Sequence, residues 1–266
     1  MLEALTAQGW DWAIIGGAGV LAGLINGVVG SGTLISFPLL LLMGYPPLVA
    51  NISNNIGLVP GSLVAAMPYR ATLVRNRALI AKMIPLTVLG SLIGGLLLVA
   101  LPGSVFDAVV PVLIAVALAL VIVQPIIQPR LARRLPIDTG ESVLTRLKLG
   151  LPLIIGLPLL AAYGGYFGAA QGILLLVILG LVLNLPFREV NGFKNLLATI
   201  ANFVSGVLFV IVGPQFVDWL VVVCIAVGST IGGMVGGRAA KLLPQNVYRV
   251  AIVVVGLAAL WVTLAR

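Results

Sequence analysis

The stretch Asn51-Ile52-Ser53-Asn54-Asn55 sets three amides and a hydroxyl inside a run, residues 48–68, that otherwise reads as membrane-buried helix. It has a partner. A shift of 140 positions lays Asn191-Gly192-Phe193-Lys194-Asn195 over it, with Pro46 on Pro186, Gly32 on Gly172, Asn51 on Asn191 and Asn55 on Asn195. A chain that twice puts amides where hydrocarbon is expected, and adds an ammonium group in the second copy, is built to solvate a polar passenger. The ammonium makes an anion the expected passenger.

Composition sets the medium. A soluble domain carries about 25 % charged residues, whereas this chain has 8 % charged and 61 % hydrophobic residues and a mean hydropathy of +1.22. These values define an integral membrane protein. Its 32 glycines and 16 prolines fit membrane helices, which tolerate both better than soluble helices do. The net charge of +8 is not a nucleic-acid signal, because the basic groups do not interleave with aromatics. A single cysteine, Cys224, rules out an intrachain disulfide, and the absence of histidine removes imidazole from every candidate acid, base, metal ligand or proton relay. No cofactor and no metal site is expected. The segment Met1 to Asp11 holds Glu3 and Asp11 and no basic residue, so it lacks the basic region of a signal peptide.

A spanning helix needs about 20 apolar residues. Segments 48–68, 83–101, 105–127, 149–167, 190–212, 216–236 and 246–265 meet that length. The apolar run from Trp12 to Gly44 is interrupted at Gly30-Ser31-Gly32, and its counterpart over 149–183 at Gly168-Ala169-Ala170-Gln171-Gly172. Each break leaves a short arm, 33–44 or 173–183, that reaches about 18 Å at 1.5 Å per residue. These arms read as half-helices or re-entrant hairpins. The halves keep matching afterwards: Gly90-Ser91-Leu92-Ile93-Gly94-Gly95 lies over Gly228-Ser229-Thr230-Ile231-Gly232-Gly233, and Leu101-Pro102 over Leu243-Pro244.

The expected fold is therefore an all-α integral membrane protein of about ten membrane segments in two repeats of five. The first repeat is 1–127, a basic cytoplasmic linker is 128–148, and the second repeat is 149–266. Five is odd, so the second repeat runs through the bilayer opposite to the first, with both termini outside. The positive-inside rule agrees. With the loops at 69–82 and 128–148 cytoplasmic, every Lys and Arg except Arg266 falls on the cytoplasmic side, while Glu3, Asp11, Asp107 and Asp218 fall outside. Inverted repeats with short, glycine-interrupted segments at matching positions point to a secondary transporter with its site near the midplane.

Particular residues carry a resemblance to a known family. Gly27-Val28-Val29-Gly30-Ser31-Gly32 followed by Pro38, then Ala50-Asn51 to Pro60-Gly61, then Tyr69-Arg70, resembles the first half of the sulfite exporter TauE/SafE family. Asn191-Gly192-Phe193-Lys194-Asn195, with Asn202 and the run from Gly228 to Gly237, resembles its second half. The resemblance extends to 4-toluene sulfonate uptake permease-like transporters. It implies a bacterial inner-membrane carrier of sulfur oxyanions or organosulfonates such as sulfite or sulfoacetate. The second break is less glycine-rich than the family pattern.

An anion entering the membrane exchanges its hydration shell for protein donors. Backbone N–H groups at a helix N-terminus carry about half a positive charge, and Gly30 to Gly32 and Gly168 to Gly172 each open a short helix. Ser31, Thr33 and Gln171 add side-chain donors. A second donor set is Asn51, Asn54, Asn55, Asn191 and Asn195 with Lys194, extended by Asn26 and Asn202. Spacing of i, i+4 puts Asn51 with Asn55, and Asn191 with Asn195, on one helix face each. Interhelical hydrogen bonding is the competing role for any single asparagine. Lys194 stands at the position of Asn54; it either faces the site or snorkels to the cytoplasmic surface. Glu189 and Lys194 are the candidate coupling groups. Arg70, Arg75 and Arg77 either draw anions to the inner mouth or act as topogenic signals. Trp10, Trp12, Trp219 and Trp261 suit an aromatic belt.

The expected partners are thus a small anion and the lipid bilayer, without nucleic acid, and oligomeric state stays open between monomer and homodimer. An anion channel and an importer remain alternatives. An intramembrane hydrolase would need a nucleophile with a base or a metal, for which the chain supplies no histidine and no metal-spaced acids.

Overall fold

In a bilayer every backbone polar group must be satisfied within the protein, which leaves helices as the route across for a chain this rich in Leu, Val and Ile. The computed structural model describes residues 9–28, 30–135, 150–183, 185–239 and 245–265, and these are helical with short connections. The order is α1 Gly9–Val28, α2 Thr33–Leu42, α3 Pro47–Ala66, α4 Arg70–Arg75, α5 Arg77–Ala100, α6 Gly103–Arg134, α7 Leu151–Tyr166, α8 Gln171–Val182, α9 Phe187–Val212, α10 Trp219–Ala239 and α11 Gln245–Leu264. Three-residue 3₁₀ turns, Met67–Tyr69 and Pro214–Phe216, precede α4 and α10. Pro46, Pro102 and Pro186 stand immediately before α3, α6 and α9 with φ of −58°, −55° and −54°; their fixed φ suits a helix start, where a missing N–H costs nothing. The α10 start is capped by Asp218, whose Oδ1 accepts from the N–H groups of Leu220 and Val221 at 3.0 and 3.1 Å.

Among the described residues, five helical stretches are long and apolar enough to cross a membrane: Pro47–Arg75, Arg77–Ala100, Gly103–Arg134, Phe187–Val212 and Trp219–Gly236. The short arms expected after the two breaks are α2 and α8, with 10 and 12 residues, about 15 and 18 Å at the helical rise.

Three boundaries differ from the sequence reading. The cytoplasmic loop expected at 69–82 is mostly helical, reduced to a break at Asn76, whose N–H and Nδ2 both donate to the Thr72 carbonyl. The linker expected from 128 begins as helix, because α6 continues to Arg134. Arg133 and Arg134 sit in its last turn, where cations complement the helix dipole. The rest of that linker lies outside the described residues, as do Glu3, Arg146, Lys148, Lys241 and Arg266 of the charge pattern. Finally, α9 begins at Phe187, not 190, which puts Lys194 two turns inside the helix instead of one.

Small residues hold the helices together. α1 packs along α10 and α5 along α7, in both cases backbone to backbone. A Cβ on Gly23 would run into the Ser229 carbonyl, one on Gly232 into that of Val20, and one on Gly94 into that of Ala162. Without a hydrophobic driving force between helices in lipid, such contacts supply the dispersion that binds them. α3 crosses α9 and α10, and α9 crosses α5. Large apolar side chains point outward, including Ile211 and Leu159, as a lipid-facing surface requires.

Candidate site at the meeting of the two helix breaks

The two breaks meet. Gly172 N–H donates to the Gly30 carbonyl at 3.1 Å, and a Cβ on Gly30 would lie 2.7 Å from the Gly172 Cα. Gly30 has φ of +82°, a conformation glycine adopts freely and other residues resist. Ala170, the residue 140 positions on, also has positive φ, +58°.

Around this contact lies a small polar cavity of about 20 Å³, lined by Asn26, Gly30, Thr33, Ser62, Gly168, Gln171, Gly172, Lys194, Asn195, Ala198 and Asn202. The structure thus brings together Asn26, Gly30, Gln171, Lys194 and Asn195 of the sequence-selected set, with Thr33 and Asn202. Lys194 is 1 % exposed and its Nζ donates to the Asn26 carbonyl at 3.2 Å. It faces the interior, not the cytoplasmic surface. An ammonium has three N–H donors, and no described carboxylate lies within ion-pair distance of this one.

Ser31, Gly32, Asn51, Asn54, Asn55 and Asn191 lie outside the cavity lining. Gly32 donates its N–H to Asn26 Oδ1 at 2.8 Å, so that N-terminal amide of α2 is already engaged, as is Gly172 N–H of α8. Asn51 Nδ2 donates to the Tyr166 carbonyl at 2.9 Å, and Asn191 Nδ2 to the Gly27 carbonyl at 3.3 Å and the Tyr69 hydroxyl at 2.9 Å. Asn195 Nδ2 donates to the Ala65 carbonyl at 3.1 Å, while Asn55 Oδ1 accepts from Ser205 Oγ at 3.3 Å. Asn51 and Asn191 thus join α3 and α9 to the ends of the broken helices, while Asn55 and Asn195 join α3 to α9. Asn54 is the exception: it is 1 % exposed and neither amide atom has a partner among the described residues.

Glu189 is not beside Lys194. Its carboxylate is bonded by Arg75 of α4, tying the segment that follows α3 to the start of α9. Glu189 is buried and Arg75 half-exposed, so removing Arg75 alone strands a buried carboxylate. We expect Arg75→Gln to destabilise the protein by about 1 kcal/mol or more, and Arg75→Gln with Glu189→Gln to recover much of that loss. A double-mutant cycle on melting temperature measures this, and additive losses would refute the coupling.

Ser62 was not apparent from composition or spacing around the first asparagine pair. The 140-residue shift does hold a signal for it, since Ser62 falls on Asn202.

These features define a polytopic α-helical membrane protein with a buried, ammonium-bearing polar site between two broken helices. The family model for Sulfite exporter TauE/SafE matches residues 15–262; the chain belongs to this family of membrane transporters. It is 28 % identical over 91 % of its length to a probable membrane transporter protein, ORF9, of Sinorhizobium sp, covering 87 % of that protein. A probable membrane transporter protein of Haemophilus influenzae is 25 % identical over 91 % of this chain and 90 % of its own length. The probable membrane transporter protein YfcA of Escherichia coli K12 is 26 % identical over 89 % of this chain and 83 % of its own length. No solved structure matches.

Proposed function

We propose that this transporter exports sulfite or an organosulfonate such as sulfoacetate across the bacterial inner membrane, binding it at the interface of two inverted repeats that alternate access. The observation that carries this reading is Lys194, an ammonium fully buried two turns inside α9, lining a cavity of amides and hydroxyls with no described carboxylate to neutralise it. A group so placed is costly unless a counter-charge arrives. An oxyanion suits the Lys194 ammonium and the Gln171 amide, whose Nε2 has no partner among the described residues.

The repeat reading is supported by contacts that exchange between the halves. α1 of the first half packs on α10 of the second, and α7 of the second on α5 of the first. Asn51 reaches the end of α7 and Asn191 the end of α1; Asn195 bonds Ala65 while Asn55 bonds Ser205, which stands 140 positions after Ala65. A cavity of about 20 Å³ suits about one water, so an oxyanion enters only when the glycine tips part. That requirement suits a carrier with gated states.

Purified protein should be stabilised by sulfite or sulfoacetate in a thermal-shift series that includes sulfate, thiosulfate, taurine and a carboxylate, since a ligand of the folded state raises its stability by about 2.7 kcal/mol at a hundredfold excess over Kd. Stabilisation by the carboxylate alone would exclude the sulfur-oxyanion assignment.

A further inference from the structure

The two halves differ in charge at the one place where each broken helix ends. In the first half the carbonyl of Asn26, at the C-terminal end of α1, receives the Lys194 ammonium at 3.2 Å. The corresponding carbonyl 140 positions on is that of Tyr166, at the C-terminal end of α7. It receives only the neutral amide of Asn51, at 2.9 Å. The residue at the position of Lys194 is Asn54.

Asn51, Asn54 and Asn55 share one face of α3, by i, i+3 and i+4 spacing. Asn51 meets the end of α7, and Asn55 Nδ2 is 3.9 Å from where a Cβ on Gly168 would stand, so this face of α3 is turned to that break. Asn54 is 1 % exposed, and neither its oxygen and nitrogen nor the Asn51 oxygen has a partner among the described residues. The Asn51 oxygen therefore lies beside the end of a helix, where the dipole concentrates about half a negative charge, and Asn54 stands about one turn along the same face. That field repels an anion and attracts a cation. The nearby charge agrees: Asp218 N–H donates to Ser53 Oγ at 2.8 Å, placing an acidic residue beside this half of α3, whereas Arg75 and Glu189 lie beside the other.

We propose that the end of α7, with Asn51 and Asn54, binds a sodium ion at the place where the first half holds the Lys194 ammonium. Neutral oxygens from amides and unwound backbone are the donors a hard alkali cation takes, and the site needs none of the carboxylate or imidazole ligands of a resident metal. The equivalence of Asn54 and Lys194 rests on the repeat proposed above. The coupling role follows from it: a sodium ion at the end of α7 offsets the charge of an anion beside Lys194, so each would favour binding of the other.

The experiment is a melting series of the purified full chain in sodium chloride, potassium chloride and choline chloride at equal ionic strength, with no sulfur anion present. Sodium should raise the melting temperature saturably, and more than potassium. Asn54→Leu should raise the half-saturating sodium concentration at least tenfold, Asn54→Asp should retain the response, and Asn54→Lys should give a fold whose stability no longer depends on sodium. Equal melting in sodium and choline, a response to pH without one to sodium, or an undiminished sodium response in folded Asn54→Leu would each overturn the site. Should Asn54→Leu not fold, the aspartate and lysine variants decide. Loss of the sodium response with anion stabilisation intact removes this proposal alone, and the opposite pattern removes only the assignment of the anion.

Discussion

Lys194→Gln should lower the affinity for the transported anion by about 30-fold to several thousandfold and abolish flux at low substrate. Truncating one partner of a buried, hydrogen-bonded charge pair costs about 2–5 kcal/mol, and each 1.4 kcal/mol is a factor of ten. The large end of that range applies here because Lys194 is 1 % exposed and no other cation lines the cavity. Glutamine keeps a donor near the Asn26 carbonyl, so the fold should survive; the partner of the ammonium among the described residues is a neutral carbonyl, so removing the charge leaves no stranded ion there. Isothermal titration or anion-dependent melting measures the affinity, and monodispersity with circular dichroism checks the fold. A Lys194→Gln protein that binds the anion as the parent does would sink the assignment of the site.

Gly30→Ala should cost about 2–5 kcal/mol and abolish transport. Two costs combine. A non-glycine residue at φ of +82° loses about 1–2 kcal/mol, and its Cβ would sit 2.7 Å from the Gly172 Cα and 3.3 Å from the Lys194 Cδ, an overpacking that costs about 1–3 kcal/mol. Gly44 separates the two effects, because it has φ of +89° but nothing within 4 Å of a Cβ. Gly44→Ala should show the conformational cost alone and keep transport. Melting temperature and proteoliposome flux on both variants test this. Equal losses at the two positions would mean that the contact between the tips contributes little.

Much of this was legible before any coordinates. The short arms α2 and α8 follow from glycine clusters interrupting apolar runs, and α3 begins at Pro47, one residue before the expected 48. Helix extents inside the membrane were readable because hydrocarbon forces every backbone group to pair locally. Extents beyond the apolar spans were not. Near headgroups and water, basic residues and prolines no longer mark an end, so α4, the extra turns of α6 and the early start of α9 were missed.

The amide pairs were recognisable as one set, yet their roles divide by position. Asn195 and Lys194 line the cavity with Asn26 and Gln171, while Asn51 and Asn191 hold the ends of broken helices and Asn54 has no partner among the described residues. Glu189 and Lys194, five residues apart, point to different neighbours: one to Arg75, the other to Asn26.

The sequence alone therefore determined the medium, the positions of the two breaks, the 140-residue correspondence of the two asparagine stretches and the presence of an ammonium in the second. These are local or periodic properties, set by composition and spacing. Only the tertiary structure decided that Gly30 meets Gly172, that Lys194 turns inward and that Asn54 is buried without a partner among the described residues. Those facts depend on which helix end faces which amide across more than a hundred residues, and the folded chain specifies them through close glycine packing that no single segment encodes.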